Sequence, residues 1–173
     1  MRKIFMMYMI GRSGSGKSTI ANALETELRD VGMQHLQIID GDIIRRQFGD
    51  IFGYNYEERM KCNQVVRVVV QYLINNGISV VLAQVAGYKE MRCKMKEQFK
   101  DNYIEVYVKC SYEECAKRDP KGYYKKQVEG KMNNLNGADD VFDIPKDSDI
   151  VIDSERETVS EAVKKIITYL EEH

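Results

Sequence analysis

The spacing of apolar residues divides the chain into alternating strands and helices. Continuous apolar runs bounded by glycine or polar residues predict strands that are buried on both faces, as in a parallel sheet. The predicted strands are Ile4–Ile10, Leu36–Ile39, Ile78–Ala83, Ile104–Lys109 and Asp149–Asp153. Helical spacing and segment length predict helices between them. The predicted helices are Lys17–Asp30, Tyr56–Asn76, Tyr88–Gln98, Tyr112–Arg118 and Val159–Leu170. This alternation indicates an α/β fold with a five-stranded, mostly parallel sheet and helices on both faces.

The predicted helix Tyr56–Asn76 carries two conflicting signals. The segment contains no turn signal such as glycine or proline over its whole length, which favours a helix. However, the run Val65–Val70 is rich in β-branched residues, which are stiff at χ1 and prefer strands. We predict a helix that ends at Gly77, because the segment is much longer than an ordinary strand.

Residues 119–146 differ in composition from the rest of the chain. They contain Gly122, Gly130, Gly137, both prolines and many lysines and asparagines. Long irregular segments of this kind lie on the surface and often carry function, so we expect a mobile flap, or lid, over residues 119–146. The total length of 173 residues, 43% of them hydrophobic, suits one core. We therefore expect residues 1–173 to form a single domain with this lid.

Charge and composition exclude several classes of protein. The 26 Lys and Arg residues nearly balance the 27 Asp and Glu residues, which argues against a surface built to bind nucleic acid. Every apolar run falls short of the ~18 residues of a membrane span, and the N-terminal run lacks a signal-peptide cleavage site. The four cysteines form no CxxC pair and are too few for a disulfide-stapled secreted domain. We therefore expect a cytoplasmic protein that binds neither nucleic acid nor membranes.

The segment Gly11–Ser18 matches the P-loop pattern GxxxxGK[ST], and it lies between a predicted strand and a predicted helix. In such a loop, glycines let backbone N–H groups face a phosphate, and the helix N-terminus adds partial positive charge. Lys17 is expected to reach the β- and γ-phosphates, and Ser18 to bind Mg²⁺. The expected nucleotide-binding residues are Gly11, Ser13, Gly14, Ser15, Gly16, Lys17, Ser18 and Thr19. The absence of a guanine-reading NKxD segment and the small size favour an ATP-dependent kinase.

A second motif, Asp40-Gly41-Asp42, ends the second predicted strand. Ligands of open α/β sheets bind at the carboxyl ends of the strands, so both carboxylates should lie beside the P-loop. One carboxylate can anchor Mg²⁺, and the other can accept the proton of an attacking hydroxyl. We predict catalytic roles for Lys17, Asp40 and Asp42, with Ser18 and Asp40 at the metal and Asp42 as the favoured base. The alternative is that Asp42 only caps the following helix.

Together with further segments, these motifs make the chain resemble the adenylylsulfate kinase family across nearly its whole length. The matching segments are Gly11–Thr19, Asp40–Asp42 with Arg45, Gly53-Tyr54 with Arg59, Lys117–Lys126, Gly130, Gly137 with Asp139-Asp140, Pro145 and Asp149–Asp153. The resemblance implies a P-loop kinase fold, a homodimer, and transfer of the γ-phosphoryl group of ATP to the 3′-hydroxyl of adenosine 5′-phosphosulfate (adenylylsulfate). It also implies that Arg45 and Arg59 hold the phosphosulfate and ribose side of the acceptor. The cations implied to close over ATP are Arg118, Lys121, Lys125 and Lys126.

Departures from the family pattern concentrate in the acceptor site. Two phenylalanines sandwich the adenine in the family, whereas this chain has Tyr54, which can stack, and Leu135, which cannot. Cys62 replaces an expected asparagine, with Asn63 one position later, and Ala86-Gly87-Tyr88 replaces Ser-Pro-Tyr. The serine of this segment is assigned in the family as a phosphorylated intermediate. Because Ala86 cannot be phosphorylated, the resemblance leaves direct in-line transfer as the only route open to this chain. The expected acceptor-binding residues are Asp42, Arg45, Tyr54, Arg59, Asn63, Tyr88, Lys121 and Leu135.

Three alternatives stay open at this point. The missing ring at Leu135 suits a smaller pyrimidine base, as in related kinases that phosphorylate cytidine diphosphoramidate in capsule biosynthesis. The chain could instead be an ATP-binding pseudokinase, although it retains Lys17, Ser18, Asp40 and Asp42. The third alternative is a small-metabolite or nucleoside monophosphate kinase of the same fold.

Overall fold

Within the residues that the structure describes, five parallel strands form one sheet. The computed structural model describes residues 4–131, 133–135, 138 and 140–173. The strands are β1 (Met6–Ile10), β2 (Leu36–Asp40), β3 (Ser79–Gln84), β4 (Tyr103–Lys109) and β5 (Ile150–Asp153). They lie in the order β2-β3-β1-β4-β5, and each neighbouring pair is parallel. The predicted strands and the α/β fold are thereby confirmed.

Helices cover both faces of this sheet. The α-helices are α1 (Lys17–Asp30), α2 (Gly41–Gln47), α3 (Tyr56–Asn75), α4 (Lys89–Phe99), α5 (Tyr112–Arg118), α6 (Tyr123–Val128) and α7 (Val159–Glu172). Successive side chains of β1 enter opposite cores: Met7 packs with residues of α1 and α7, whereas Tyr8 packs with residues of α3 and α4. In the described residues, no helix combines the length and the apolarity that crossing a membrane requires.

The helix α3 shows how packing decides between the two signals in its sequence. Val66 and Val70 are buried in the core between α3 and the sheet, so their burial outweighs the strand preference of β-branched residues. A capping box also fixes the start of the helix. The Asn55 side chain accepts a hydrogen bond from Glu58 N (2.9 Å), and the Glu58 carboxylate accepts one from Asn55 N (3.2 Å). The predicted helix is confirmed.

Two short helices, α2 and α6, lie where the apolar pattern predicts none. The helix α2 follows β2 directly, and Asp40 Oδ1 accepts hydrogen bonds from the N–H groups of Asp42 (2.8 Å) and Ile43 (3.3 Å). Asp40 is therefore the N-cap of α2, and the alternative that Asp42 is only a helix cap was wrong. The helix α6 lies within the lid, so residues 119–146 are not a continuous loop.

The strand order brings the predicted motifs to one edge of the sheet. Ile10, at the end of β1, pairs with Gln84 of β3, and Asp40, at the end of β2, pairs with Ala83. The P-loop, the start of α2 and the segment after β3 therefore lie together at the carboxyl ends of three adjacent strands. This is the edge at which open α/β sheets bind ligands.

Candidate active site

The P-loop, residues 11–18, depends on glycine where it turns sharply. A Cβ on Gly11, whose φ is 153°, would collide with the backbone carbonyl of Val108. Gly16 is the N-cap of α1 and has a φ of 98°, a left-handed conformation that favours glycine. The loop therefore wraps around the N-terminus of α1, where backbone N–H groups can bind an anion.

Lys17, in the first turn of α1, is buried with its ammonium group against the P-loop. Its Nζ donates hydrogen bonds to the carbonyl oxygens of Gly11 (2.9 Å) and Arg12 (2.7 Å). Burial lowers the pKa of Lys17 from its ordinary value of 10.5 to about 8, although the charge of Asp42 acts in the opposite direction. Phosphate oxygens can replace these carbonyl acceptors, because the ammonium group has three donors that rotate freely.

Ser18 and Asp40 form a pair of oxygen donors beside the P-loop. The Ser18 hydroxyl donates a hydrogen bond to Asp40 Oδ2 at 2.5 Å. Partial burial alone raises the pKa of Asp40, but hydrogen bonds from Ser18 and from the N–H of Asp42 outweigh this effect and lower it below its ordinary value. A hydroxyl and an ionised carboxylate are suitable ligands for Mg²⁺, which takes its other ligands from water and substrate phosphates. The two residues therefore fit the predicted metal site.

One cleft, which we call the inner cleft, runs from the P-loop along the carboxyl ends of β2 and β3 to the lid. It brings together ten of the predicted site residues from four separate parts of the chain. These are Ser13, Lys17, Ser18, Asp40, Asp42, Arg45, Tyr54, Arg59, Lys121 and Leu135.

The ring of Tyr54 contacts two arginines in the inner cleft. The guanidinium carbons of Arg45 and Arg59 are 4.8 Å and 5.3 Å from the centroid of its ring, which is the arrangement of a cation–π contact. Arg45 donates to the carbonyl of Phe52 (3.0 Å), and Arg59 donates to the carbonyls of Tyr54 (2.6 Å) and Asn134 (2.5 Å). Within the described part of the chain neither guanidinium forms an ion pair, so both charges can serve an anionic ligand.

Polar contacts join the described part of residues 119–146 to the inner cleft, in addition to that of Asn134 with Arg59. Lys121, in the turn between α5 and α6, forms an ion pair with the Asp42 carboxylate. The Tyr124 hydroxyl donates a hydrogen bond to the Ser13 carbonyl at 2.9 Å, which ties α6 to the P-loop. Leu135 also lines the cleft and is only 4% exposed. Part of the segment 119–146 therefore lies against the inner cleft.

A second cleft, the outer groove, lies on the other side of the P-loop and has a volume of about 530 Å³, within the usual range for small-molecule sites. It is lined by Gly14, Ser15 and Gly16 of the P-loop, by Thr19, and by Arg118, Ser154 and Thr158. Arg118 is held there by a hydrogen bond to the Ser154 carbonyl (3.0 Å) and an ion pair with Glu114 (2.9 Å). The residues that line both the outer groove and the inner cleft are Lys17, Ser18 and Lys121.

Several predicted residues, Gly11 among them, lie outside the described lining of both clefts. Asn63 is fully buried in α3, and its Nδ2 donates to Tyr8 Oη at 3.3 Å. The Tyr88 hydroxyl donates to the Asp140 carboxylate. Lys125 and Lys126 are exposed on α6. Gly137 and Asp139, which belong to the family resemblance, lie outside the described residues.

Sequence reasoning overlooked several residues of the two clefts. Gln84, Met91 and Tyr123 line the inner cleft, and Thr158 lines the outer groove. Gln84 carried a usable signal, because it directly follows a predicted strand at the same sheet edge as Asp40. Tyr123 lies within the matching lid segment, but its side chain reaches the cleft only because the lid folds back over the sheet.

A comparison with protein families distinguishes this chain from other P-loop kinases. The family model described as adenylylsulphate kinase matches residues 3–153. The chain belongs to the adenylylsulfate kinase family. The adenylyl-sulfate kinase of Staphylococcus epidermidis is 39% identical over 172 residues, which cover 99% of this chain and 86% of the relative. The adenylyl-sulfate kinase of Oceanobacillus iheyensis is 36% identical over 171 residues, covering 98% and 85%. The resemblance found in the sequence is confirmed.

Solved structures confirm the P-loop kinase fold. The Mycobacterium tuberculosis APS kinase, solved in complex with AMPPNP and APS, has a TM-score of 0.90 and is 25% identical, with 99% of each chain covered. Shikimate kinase from Acinetobacter baumannii, at 17% identity and a TM-score of 0.62, shares the fold over 99% of this chain and 95% of its own.

Proposed function

We propose that this chain transfers the γ-phosphoryl group of ATP to the 3′-hydroxyl of adenylylsulfate, giving ADP and 3′-phosphoadenylyl sulfate. The observation that carries the proposal is that the inner cleft and the outer groove meet at Lys17, Ser18 and Lys121. In-line phosphoryl transfer needs a donor and an acceptor that approach such a cationic point from two sides. The names of the relatives and the ligands of the mycobacterial complex support the same reaction.

The outer groove and the P-loop form the ATP side of the proposed site. Backbone N–H groups of the loop and the N-terminus of α1 bind phosphates, and Lys17 exchanges its carbonyl partners for β- and γ-phosphate oxygens. Arg118, at the wall of the groove, would contact the nucleoside. Ser18 and Asp40 would hold Mg²⁺, which neutralises phosphate charge during the transfer.

The inner cleft forms the acceptor side. Arg45 and Arg59 supply two positive charges for the phosphosulfate group, and the ring of Tyr54 can stack on the base. The Asp42 carboxylate accepts the proton of the attacking hydroxyl. Lys121, its ion-pair partner, would then stabilise the negative charge of the phosphoryl group in the transition state. A positioned cation of this kind lowers the barrier to transfer. Asn63 and Tyr88 lie outside the described lining, so they would act on the acceptor by positioning other residues.

A second acceptor, cytidine diphosphoramidate, is favoured by one observation. Leu135 lines the inner cleft where a second aromatic ring would cover an adenine in the family, so the cleft provides less stacking energy for a large purine base.

A coupled assay of ADP formation with each acceptor tests the proposal. A higher kcat/KM for adenylylsulfate supports it, whereas a preference for cytidine diphosphoramidate would reassign the acceptor. Inactivity on both acceptors would exclude both assignments, and product formed in a single turnover would exclude a pseudokinase.

We also propose that residues 1–173 form one kinase domain with a lid over residues 119–146, and that two copies form a homodimer. The contacts of Lys121 and Tyr124 with the sheet edge support the lid. Support for the dimer comes from an apolar stripe on α3, which we call the α3 stripe. Its residues and their exposed fractions are Val68 (50%), Val69 (38%) and Tyr72 (68%). Clustered exposed apolar residues are typical of interaction surfaces.

A further inference from the structure

Gln84, at the carboxyl end of β3, is a polar residue to which the proposed mechanism gives no role. Its side chain lines the inner cleft. It also packs against the backbone of Gly41, between the two carboxylates of the Asp40–Asp42 motif, because a Cβ on Gly41 would lie only 2.9 Å from Gln84 Cγ. Gln84 is therefore part of the cleft wall next to the site of transfer.

Hydrogen bonds from the core fix the orientation of the Gln84 amide. Asn63 Nδ2 donates to Tyr8 Oη at 3.3 Å, and Tyr8 Oη donates to Gln84 Oε1 at 2.6 Å. Tyr8 and Asn63 are both fully buried, so the group that holds the amide is itself held within the core. Because the tyrosine hydroxyl donates its single hydrogen to Oε1, the donor of the amide, Nε2, is left for another partner. Among the described residues, Nε2 makes no hydrogen bond.

An amide held in this way offers a directed donor without charge. Arg45 and Arg59 already supply positive charge for the anionic group of the acceptor. A neutral donor suits a neutral hydrogen-bond acceptor, such as a ring nitrogen or carbonyl oxygen on the edge of a nucleobase, which glutamine amides recognise elsewhere.

We propose that Gln84 determines acceptor specificity by donating a hydrogen bond from Nε2 to the base of the acceptor nucleotide. Tyr8 and Asn63 are positioning residues that hold the amide. The inference rests on the proposed function, since it takes the inner cleft as the acceptor side, and it deepens that function by naming how the base is read.

Two substitutions at Gln84 test the contact. Gln84→Met keeps the length of the side chain but removes the donor, and Gln84→Glu keeps an acceptor for Tyr8 but replaces the donor with a carboxylate oxygen. Each variant should raise the KM for adenylylsulfate about tenfold, as expected for one hydrogen bond lost from a buried site. The KM for ATP should stay unchanged, which also shows that the variant is folded. If Gln84→Met fails to fold, Gln84→Glu carries the same comparison.

Tyr8→Phe tests the positioning role. It should raise the KM for adenylylsulfate less than Gln84→Met does, and it should add no further rise when combined with Gln84→Met, because both changes act on one contact. A purely structural role of the two residues would lower the melting temperature without a rise in KM that is specific to the acceptor.

Inhibition by AMP and by ribose 5-phosphate separates a base contact from contacts to the sugar or phosphate. Gln84→Met should weaken inhibition by AMP about tenfold and leave inhibition by ribose 5-phosphate, which has no base, unchanged. An unchanged KM for adenylylsulfate in both Gln84 variants, or an equal loss for both inhibitors, would overturn this inference alone. A wild-type protein without turnover on adenylylsulfate would instead overturn the proposed function and this inference with it.

Discussion

At the scale of single residues, the charge of Lys17 links nucleotide binding to pH. Burial lowers its pKa to about 8 in the free protein, and contact with phosphate oxygens would raise the pKa again by stabilising the charged form. Nucleotide binding above that pH therefore requires proton uptake. We expect the affinity for AMPPNP to be constant below pH 8 and to fall about tenfold per pH unit above it, since binding follows the protonated fraction. Calorimetry in buffers of different ionisation enthalpy measures both the affinity and the proton uptake.

The matched control for this prediction is Lys17→Arg. An arginine stays charged over the whole range, so its affinity for AMPPNP should not vary with pH even if it is weaker throughout. A wild-type affinity that stays constant from about pH 7 to about pH 9.5 would contradict a lowered pKa at Lys17.

Leu135 allows a second prediction at this scale. Leu135→Phe adds a ring to the inner cleft, which Tyr54 also lines. A favourable aromatic contact contributes roughly 0.5–1.5 kcal/mol, so the KM for adenylylsulfate should fall roughly two- to tenfold. Leu135→Met adds flexibility but no ring and should leave this KM close to that of the wild type. Equal KM values in the two variants would show that residue 135 does not face the base.

Sequence reasoning located the residues whose environment is set by their neighbours in the chain. Lys17 and Ser18 belong to a contiguous loop, so the pattern that identifies them also determines their geometry. Gln84 takes its orientation from Tyr8, which lies 76 residues away in the sequence. Asn63 matched the family pattern to within one position, yet it faces the core and not the cleft. The orientations of these two side chains depend on tertiary packing, which a sequence motif does not specify.

At the scale of secondary structure elements, the strands were predictable because a parallel sheet buries both of their faces and leaves continuous apolar runs. The helices α2 and α6 were not predicted, because they are only seven and six residues long and lie in segments that were interpreted as a binding motif and as a flap. In both helices, an aspartate carboxylate accepts hydrogen bonds from N–H groups of the first turn. Asp40 caps α2, and the Asp119 carboxylate accepts hydrogen bonds from the N–H groups of Tyr124 (3.2 Å) and Lys125 (3.0 Å) at the start of α6.

Lys121 in the lid allows a prediction about the rate of phosphoryl transfer. Lys121 is the lid residue that lines both clefts, so Lys121→Met removes a positive charge from the point where they meet. Loss of one preorganised donor in a transition state costs about 10²–10³ in kcat, and we expect a decrease of that order with little change in the KM for ATP. Lys131→Met is the matched control, because Lys131 lies in the same lid but pairs with Glu129 at 2.7 Å and lies outside the described lining of both clefts. A kcat close to that of the wild type in Lys121→Met would contradict the role of Lys121.

At the scale of the whole molecule, a net charge of −1 conceals a local excess of positive charge in the inner cleft. The cations that line the inner cleft are Lys17, Arg45, Arg59 and Lys121. The carboxylates of Asp40 and Asp42 lie among them, so the cleft concentrates positive charge without becoming uniformly basic. Near-neutral composition therefore argues against binding long polyanions over the whole surface, but it is compatible with a small nucleotide bound in one cleft.

The α3 stripe exposes apolar side chains for which packing within a single copy of the chain gives no reason. Valine lowers helix stability relative to alanine, so exposed valines on α3 are not explained by helix propensity. A two-fold symmetric dimer would bury the stripe of one copy against the same stripe of the other. The free energy of removing this apolar surface from water would then offset the cost of the valines.

Sedimentation equilibrium tests this explanation directly. We expect the wild-type protein to have twice the 20.1 kDa mass of one chain. Its melting temperature should rise with protein concentration, because unfolding is then coupled to dissociation.

Val69→Lys should produce a monomer, since it would place two positive charges against each other across a two-fold axis. Val151→Lys is the matched control. Val151 is similarly exposed (44%), but it lies on β5, an edge strand of the sheet, and is not part of the α3 stripe. This variant should therefore remain dimeric. A wild-type protein that sediments as a monomer, or a Val69→Lys variant that remains a dimer, would exclude the α3 stripe as the interface.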